Sequence, residues 1–316
     1  AEEVKGILLG MASGQETLLG YFRRFIRNFE KRVGINRTVG SLRAYSNAYS
    51  HIERFLQAQY KLSDIPFSAL DRSFIDKYDL YLRTERNLAP GTIINLTVQL
   101  KTIVGEAIAD GIITASPFMG YEPVRPKHVQ KYLTAEELHR IMTIPLHRQT
   151  LYHVRDMFLF SCFTGIPYGD MRLLTKDNLC LAEDGIWWIK SARQKTKIEF
   201  EIPLLDLPLQ ILKKYSDTAP GDKLLPMYCN STLNLYLKEI ARICHIDRPL
   251  VFHAGRHTYA TEITLSHGVP LETVSRMLGH SQIETTQIYA KATDEKIDAD
   301  TKALNRKISE RFSVVI

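Results

Sequence analysis

Residues 252–261 read FHAGRHTYAT and hold two histidines and an arginine within five positions. His253 and His257 are four residues apart, so on a helix they would share one face. Zinc metalloproteases use that spacing in the motif HExxH, where the enclosed glutamate is the general base. Here the enclosed residues are AGR, which supply a repelling positive charge and no carboxylate, and no nearby Cys or Asp adds a ligand. We therefore expect no metal at this segment.

A phosphate is the alternative ligand for the same segment. His253 and Arg256 are three residues apart and also share a helix face. The arginine offers a planar fork for two phosphate oxygens, and the histidine can donate a hydrogen bond or carry a proton near neutral pH. The pair therefore indicates half of a site for phosphoryl transfer. The alternative is that both are ordinary residues at the start of a helix.

A second stretch, LGHSQIETTQIYAK at residues 278–291, favours the phosphate site. It places His280 directly after a helix stop at Gly279. Tyr289 follows nine residues later, on a helix expected to begin at Ser281. The two stretches together put histidines, an arginine and a tyrosine at fixed spacings.

These two stretches resemble the signature of the tyrosine recombinases, also called phage-type integrases. The HxxR of that family matches His253 and Arg256, its LGH matches His280, and its nucleophile matches Tyr289. Several matched positions at two correct spacings make the resemblance specific, and it covers nearly all of the chain. It implies an enzyme that cleaves and rejoins DNA by transesterification through a 3′-phosphotyrosine, without a cofactor.

A predicted hairpin supplies a further match to the family. Residues 185–204, GIWWIKSARQKTKIEFEIPL, have β-type residues on both sides of SARQKTK and predict two strands with a connection. The family carries its catalytic lysine in such a hairpin, typically in a KT pair shortly before IPL. The resemblance assigns this role to Lys195, with Lys197 as the rival.

The chain departs from the family at its first catalytic arginine. That arginine normally follows a TGL turn, but residues 163–174 read FTGIPYGDMRLL, with Pro167 in its place and Asp170 at the matching acidic position. Proline has no charge and no N–H. The site could work with one arginine, the enzyme could be inactive, or another arginine could reach the same phosphate.

Arg155 and Arg172 are the candidates for such a replacement. Arg155 lies twelve residues before Pro167 on the apolar helix LYHVRDMFLFSCF, where a charge needs a partner or a substrate. Arg172 lies five residues after Pro167 and would face away from it on a helix. Integrases of Bacteroides-type mobile elements are similar in lacking the first arginine and in carrying one upstream on the preceding helix. We therefore expect Arg155 to replace it; the alternative is a surface arginine or an ion pair near Asp156.

The resemblance implies a division of roles among seven residues. They are Tyr289 as nucleophile, Arg256 and Arg155 as the phosphate clamp, His280 and Asp170 in support of it, His253 as general base or oxygen ligand, and Lys195 as general acid. Cations held in place for a phosphate stabilise the charge that develops on its oxygens, and removing one such donor typically costs about 3–4 kcal/mol.

Hydrophobic periodicity divides the chain into a helical front and a mixed rear part. Residues 1–127 hold four or five segments with apolar residues at helical spacing, and residues 128–316 add the hairpin to further helices. Between them, residues 120–138 contain two prolines and end in a capping box of Thr134 and Glu137. With the resemblance, the expected fold is mainly α with a small β-sheet: an N-terminal helical, SAM-like core-binding domain and an α+β tyrosine-recombinase catalytic domain with a C-terminal tail.

The composition is that of a globular protein with a mild preference for polyanions. The chain has 316 residues, 45% of them hydrophobic, and a net charge of +6. No apolar run approaches the roughly 18 residues of a membrane span, and no signal peptide is evident. The four cysteines form no CxxC pair and are expected to be reduced thiols in a bacterial cytoplasm.

Double-stranded DNA is the expected partner, gripped on two faces by the two domains. The resemblance implies a homotetramer on DNA, with a monomer as an option without DNA, association with the nucleoid, no membrane, and in some systems an accessory DNA-bending protein. Lys101 is a candidate DNA contact, against the more common alternative of a solvated helix face. The charged tail at residues 294–316 ends in apolar residues and either docks on a neighbouring subunit or packs on its own chain. No segment reads as an upstream arm-binding domain.

The expected function is site-specific recombination of DNA, for integration or excision of a mobile element. Two alternatives use the same scaffold. The first is a non-catalytic DNA-binding regulator, which the proline at position 167 would allow. The second is an enzyme like topoisomerase IB, which relaxes DNA by similar chemistry without exchanging strands.

Overall fold

The structure of the chain, a computed structural model, describes residues 16–126 and 131–289, together with 301, 302, 304–306 and 308. The chain divides into two compact units, Ala1–His128 and Val129–Ile316, called here the first and the second unit. The expected division between residues 127 and 128 falls on positions outside the described residues. The apolar end of the C-terminal tail, for which docking was considered, also lies outside them.

The first unit is a bundle of helices. Its α-helices within the described residues are α1 (Leu18–Glu30), α2 (Val39–Phe55), α3 (Arg72–Thr84) and α4 (Pro90–Ala109). A wider helical turn at Leu56–Tyr60 continues α2, and a 3₁₀ turn at Phe67–Ala69 precedes α3. These four α-helices fall within the expected four or five segments in which apolar residues recur at helical spacing.

Local signals account for where these helices begin. The Thr38 side chain accepts the N–H of Ser41 at 3.1 Å, and the Asp71 side chain accepts the N–H of Phe74 at 2.8 Å. Both bonds satisfy donors that the first helical turn leaves unpaired. Helix α4 begins instead at Pro90, whose fixed φ suits the first helical position. The apolar faces meet in one core, whose largest fully buried members include Phe22, Phe55, Phe67 and Tyr78.

The second unit places more and shorter helices around a core of its own. Its α-helices between residues 131 and 289 are α5 (Ala135–Thr143), α6 (Gln149–Thr164), α7 (Tyr168–Met171), α8 (Asp206–Tyr215), α9 (Asn230–Ile243), α10 (Ala254–Thr258), α11 (Leu271–Met277) and α12 (Glu284–Gln287). Helix α10 continues into a wide turn at Tyr259–Thr264 and a 3₁₀ turn at Leu265–His267. A further 3₁₀ turn at Lys176–Asn178 leads into a sheet.

That sheet has three antiparallel strands in the order β1 (Leu179–Leu181), β2 (Trp187–Ala192) and β3 (Glu199–Pro203). Strands β2 and β3 form the predicted hairpin, and their register pairs Ile189 with Ile202, both buried in the core. Strand β1 was not predicted, because three residues are too few to show an alternating pattern. The expected fold class, mainly α with a small β-sheet, is confirmed.

Helix α6 runs through the middle of the second unit's core. Most of its residues are buried. It ends at Thr164, and the following Gly165 has a φ of 70°, which glycine adopts without strain. Helix α10 packs so closely against α6 that a Cβ on Gly255 would lie 2.9 Å from the Oγ of Ser161. This close backbone approach fixes the position of Arg256, the next residue of α10.

Polar contacts fasten the start of the second unit to its interior. Thr134 and Glu137 form the predicted capping box of α5. Arg248 pairs with the same glutamate, with its Nη1 2.6 Å from Oε1 of Glu137. The N–H of Leu133 donates to the Oγ1 of Thr258 at 3.0 Å. The segment that opens the second unit is therefore tied to α10.

Candidate active site

Arg256 occupies the centre of a polar cluster in the second unit. The residue is only 3% exposed. Its Nη1 donates to the carbonyl oxygen of Gly165 at 2.9 Å, and its Nη2 donates to the carbonyl oxygen of Leu278 at 2.7 Å. The same Nη2 lies 2.9 Å from the Nε2 of His280. Because a buried charge needs such partners, these contacts hold the guanidinium fork in one orientation.

The contacts of His280 fix both its tautomer and its orientation. A guanidinium can only donate, so the Nε2 of His280 accepts from Arg256 and carries no proton. The proton therefore lies on Nδ1, which donates to the Oγ1 of Thr286 at 2.7 Å. The imidazole is neutral in this arrangement, and Thr286 is a site residue that the sequence alone did not identify.

Tyr289 packs against the ring of His280. Its ring and that of His280 are stacked, with centroids 6.4 Å apart and planes within 9°. The ring of His257 meets it edge-on at 5.1 Å. The tyrosine is 8% exposed and belongs to a small apolar core with Tyr259, Ala260, Val274 and Leu278. The structure thus brings together the arginine, the histidine and the tyrosine that the sequence places far apart.

The segment before Tyr289 folds differently from the prediction. Helix α12 begins at Glu284 rather than at Ser281, and it ends at Gln287, so Tyr289 follows the helix instead of lying on it. The chain after His280 has to turn back before the helix starts, because a side chain of α12 bonds to the His280 ring. The prediction that Tyr289 lies on a helix begun by Ser281 is therefore wrong.

The histidines form a row that leads from Tyr289 to the surface. His257 contacts Tyr289, and the ring of His253 lies 4.9 Å from that of His257 at nearly a right angle. His253 itself is exposed. The ring of His257, to which sequence analysis assigned no role in the phosphate site, therefore lies between the rings of His253 and Tyr289.

Burial controls the charge states of the tyrosine and the arginine. Burial raises the pKa of the Tyr289 hydroxyl, and the positive charges of Arg256 and Arg193 oppose that rise. Burial, followed by the charge of Arg193, lowers the pKa of Arg256 to about 10, so the guanidinium stays charged at neutral pH. The free site therefore holds a neutral phenol beside a buried cation.

The connection between β2 and β3 brings a second arginine to the cluster. The Nη1 of Arg193 donates to the carbonyl oxygen of Leu278 at 2.9 Å, and its Nε lies 2.6 Å from the Oδ2 of Asp170. The other oxygen of Asp170 accepts the N–H of Gln194 at 2.8 Å. Through these two contacts Asp170 holds the connection between β2 and β3 in place and supports the position of Arg193. Sequence analysis did not single out Arg193.

The lysine predicted as general acid lies in the same connection. Lys195 is exposed, and its side chain makes no hydrogen bond or ion pair with the residues that the structure describes. The backbone of Arg193 closes the loop around it, since its carbonyl accepts the N–H of Lys197 and its N–H donates to Ile198, both at 2.8 Å. The catalytic role of Lys195 stays a prediction.

Arg155 is not brought to the cluster. Its Nη1 lies 3.3 and 3.4 Å from the carbonyl oxygens of Met142 and Ile144. Its Nε lies 3.6 Å from the Oδ1 of Asp156, and its guanidinium covers the ring of Tyr152. Helix α6 therefore turns this side chain toward the end of α5, and the expectation that Arg155 replaces the missing arginine needs correction. The alternative, an ion pair near Asp156, is what the structure has.

Two further candidate residues are exposed. Arg172 directly follows α7, and Lys101 lies on α4 in the first unit. Neither side chain has a hydrogen bond or ion pair with another described residue. The role of Lys101 as a DNA contact stays a prediction.

Other kinds of site were sought in the described part of the chain. Among those residues, no group of three or more histidine, cysteine, aspartate or glutamate side chains could hold a metal ion. None of the described helices is long and apolar enough to span a membrane. All four cysteines are free thiols: Cys162, Cys180, Cys229 and Cys244. The cluster in which Arg256, His280 and Tyr289 converge is the candidate active site.

The two histidines beside Tyr289 predict a pH-dependent stability. Burial, followed by the charges of Arg256 and Arg193, lowers the pKa of His280 to about 4. Burial, followed by the neighbouring positive groups, also lowers the pKa of His257 to about 4. In the unfolded chain both pKa values return to about 6.5. Between about pH 6.5 and pH 4 the unfolded chain then binds more protons, so the free energy of unfolding falls as the pH is lowered.

The slope of the free energy of unfolding against pH should reach about 1.4 kcal/mol per pH unit for each histidine and vanish above about pH 7. Urea unfolding at a series of pH values measures it. The fluorescence of Trp187 and Trp188 reports on the second unit alone, because these are the two tryptophans of the chain and both lie in β2. The variants His257→Gln and His280→Asn should each show a shallower slope. An unchanged slope in both variants would contradict the assignment.

The fold and the site together define a class of protein. A helical unit is followed by a mixed unit in which a buried arginine, histidines and a tyrosine converge. This is the arrangement of a tyrosine recombinase, an enzyme that acts on DNA. The sequence pattern of the Phage integrase family matches residues 131–296, and that of the Phage integrase SAM-like domain matches residues 17–123. The chain belongs to the phage integrase family.

Curated relatives and solved structures agree with this family. The tyrosine recombinase XerD of Listeria monocytogenes is 25% identical over 273 residues, which cover 81% of this chain and 89% of the relative. The tyrosine recombinase XerC of Neisseria meningitidis is 28% identical over 193 residues, or 57% of this chain and 62% of the relative.

Two solved structures show the same fold. The integrase of the Tn1549 transposon, in complex with transposon right end DNA, has a TM-score of 0.71 at 18% identity and covers 92% of this chain and 99% of that one. A lambda integrase dimer bound to a core site also has a TM-score of 0.71 at 18% identity, covering 87% and 96%. At 18% identity, this similarity establishes a shared fold alone.

Proposed function

We propose that this protein is a site-specific DNA recombinase that works through a covalent 3′-phosphotyrosine at Tyr289, in the integration or excision of a mobile element. The observation that carries the proposal is the convergence of Tyr289, Arg256 and His280 in one cluster. Similarity to a transposon integrase and to lambda integrase supports the role in a mobile element. The proline at position 167 supports a place in the Bacteroides-type branch.

In the proposed cleavage step the Tyr289 oxygen attacks the scissile phosphate. A bond forms between that oxygen and phosphorus, and the bond from phosphorus to the 5′ oxygen breaks. The phenol loses its proton, and the departing 5′ oxygen gains one. Because the energy of the phosphodiester is kept in the covalent link, a 5′-hydroxyl of a second strand can reverse the step. The reaction therefore needs neither a nucleotide nor a metal ion.

The neighbours of Tyr289 have separate proposed roles. Arg256 stabilises the charge that develops on the phosphate oxygens. A phosphate bound there replaces the His280 ring as an acceptor for Arg256 and raises the pKa of that ring, so that His280 can gain a proton and donate to the phosphate. His253, at the outer end of the histidine row, is proposed as the general base or an oxygen ligand, and Lys195 as the general acid.

Double-stranded DNA is the proposed substrate and partner. The first unit, with Lys101 exposed on α4, is proposed to contact the phosphate backbone, which positions a duplex without reading its sequence. Assembly as a homotetramer on DNA, an accessory DNA-bending protein and a cytoplasmic, nucleoid-associated location are parts of the same proposal.

The two alternatives predict different products. A non-catalytic regulator is suggested by Pro167, but it has no need for Tyr289 and Arg256 to be held in one buried cluster. An enzyme like topoisomerase IB would form the same adduct and relax supercoiled DNA, yet it would join no second duplex. The recombinase therefore differs from both in two observable events, adduct formation and strand joining.

A nicked suicide substrate tests the proposal. The duplex should carry the junction sequence of the element that encodes the protein, with a nick placed so that the short 5′-hydroxyl fragment diffuses away after cleavage. A 3′-phosphotyrosine keeps a label at the 5′ end of the cleaved strand on the protein. Wild-type protein should trap this adduct equally with and without a chelator, and an added duplex with a 5′-hydroxyl end should be joined. If the wild type traps no adduct on its own junction, the recombinase proposal fails.

A further inference from the structure

The turn after α6, which runs from Pro167 through the short helix α7, lies directly against the connection between β2 and β3. A Cβ on Gly169 would lie 3.5 Å from the side-chain oxygen of Gln194. Asp170 accepts the N–H of Gln194 at 2.8 Å. The hairpin therefore covers the turn in which Pro167 stands where an arginine would be expected. A positively charged side chain on the hairpin is therefore close to position 167, where the family's arginine is missing.

Arg193 lies between that turn and the loop that carries the catalytic-site histidine His280. Its aliphatic part packs on Gly279, where a Cβ would lie 2.9 Å from the Cγ of Arg193. Its Nε is held by Asp170 and its Nη1 by the carbonyl oxygen of Leu278. Its Nη2 makes no hydrogen bond with any described residue. The side chain is thus fixed in place while one nitrogen with two protons stays available to a ligand.

Two guanidinium groups meet at a single oxygen. The carbonyl oxygen of Leu278 accepts from Arg193 at 2.9 Å and from Arg256 at 2.7 Å. Like charges this close repel each other, and the repulsion is strong where water is excluded. Burial has the largest effect on the pKa of Tyr289, Arg256, His280 and His253, and the charge of Arg193 acts to lower the pKa of all four groups. An anion bound between the two arginines would relieve this repulsion.

We propose that Arg193 is the second arginine of the phosphate clamp and supplies, from the connection between β2 and β3, the charge that Pro167 does not. The inference rests on the proposed recombinase function. Arg193 donates through Nη2 to a non-bridging oxygen of the scissile phosphate while Arg256 holds the other side. No bond to Arg193 forms or breaks; its charge stabilises the transition state in which Tyr289 bonds to phosphorus and the 5′ oxygen leaves.

The test compares a normal suicide substrate with one that carries a methylphosphonate at the scissile position. The methyl group replaces one charged oxygen, so the transition state needs one cation less. Arg193→Gln removes the charge but keeps a donor for the Leu278 carbonyl. We expect this variant to form the adduct about 10²–10³-fold more slowly than wild type on the phosphodiester. On the methylphosphonate the difference should shrink to about tenfold or less.

Matched arginine variants serve as controls. Arg172→Ala removes an exposed arginine near the same turn and should leave both rates at the wild-type level. Arg193→Lys keeps the charge without the fork and should fall between wild type and Arg193→Gln on the phosphodiester. Tryptophan fluorescence during unfolding checks that each variant is folded, since both tryptophans lie in β2, the strand that leads to Arg193.

The outcomes separate this inference from the function on which it rests. Absence of an adduct from wild type rejects the recombinase proposal itself. With an active wild type, equal losses for Arg193→Gln on both substrates would assign Arg193 a purely structural role and overturn the inference. Wild-type rates for Arg193→Gln on the phosphodiester would also overturn it. The inference would also be overturned if the loss of rate were recovered on the methylphosphonate by Arg155→Ala and not by Arg193→Gln. That result would assign the missing positive charge to Arg155.

Discussion

A Tyr289→Phe variant is expected to bind its DNA site with wild-type affinity and to form no covalent adduct at all. The variant removes one oxygen atom, the proposed nucleophile, and keeps the ring. That ring makes the contacts that position it, stacked on His280 and edge-on to His257. Since burial raises the pKa of the hydroxyl, the tyrosine is neutral in the free protein and its loss changes no charge. Binding by gel shift and adduct formation on the suicide substrate measure the two effects separately.

Tyr259→Phe is the matched control for this experiment. Tyr259 is buried in the same small apolar core, and its hydroxyl lies 3.8 Å from the sulfur of Met277. Its loss should leave adduct formation unchanged. An adduct from Tyr289→Phe at more than background level would mean that another residue is the nucleophile.

Arg256→Lys is expected to reduce the rate of adduct formation by about 10²–10³-fold while DNA binding is retained. Lysine keeps the positive charge but has no planar fork. It therefore cannot serve the carbonyl oxygens of Gly165 and Leu278 and a phosphate at the same time. A buried carbonyl that loses its donor costs about 1–3 kcal/mol, so the urea midpoint of the second unit should fall as well. Single-turnover cleavage of pre-bound substrate and urea unfolding measure these effects.

Arg276→Ala provides the comparison for that variant. Arg276 is an exposed arginine on α11, two residues before Leu278, and has no part in the cluster. Cleavage of pre-bound substrate by Arg276→Ala should match wild type. A wild-type rate from Arg256→Lys would show that charge alone suffices, and the argument from the orientation of the fork would then be wrong.

The helices of the first unit follow from the sequence because each is decided locally. Periodic apolar residues and start signals such as Asp71 and Pro90 lie within the helices that they specify or directly before them. The same holds for the Thr134 capping box and for the β2–β3 hairpin. Strand β1 escapes prediction because its three residues become a strand only by pairing with β2. The late start of α12 also could not be predicted, because it depends on the hydrogen bond between His280 and Thr286 across the turn.

The residues of the site fall into the same two groups: those that a local sequence pattern identifies and those that only long-range contacts bring into place. Arg256, His280 and Tyr289 could be selected because they occur in two short stretches with recognisable spacing. Arg193 could not, since its carbonyl partner Leu278 is 85 positions away. One signal was available: Arg193 lies two positions before Lys195, in the connection of the predicted hairpin to which the resemblance assigns a catalytic residue. The physical argument about charge on α6 correctly demanded a partner for Arg155 but could not identify it.

The contacts at the opening of the second unit decide where this chain can be shortened. A fragment that starts at Ala135 would retain every residue of the cluster, yet it would lose the cap of α5, at a cost of about 1 kcal/mol. It would also leave the hydroxyl of Thr258, two residues beyond Arg256, without the N–H of Leu133. Poor activity of such a fragment would reflect a loosened α10 rather than a missing chemical group. Trimming for expression or proteolysis should therefore stop at or before Lys131.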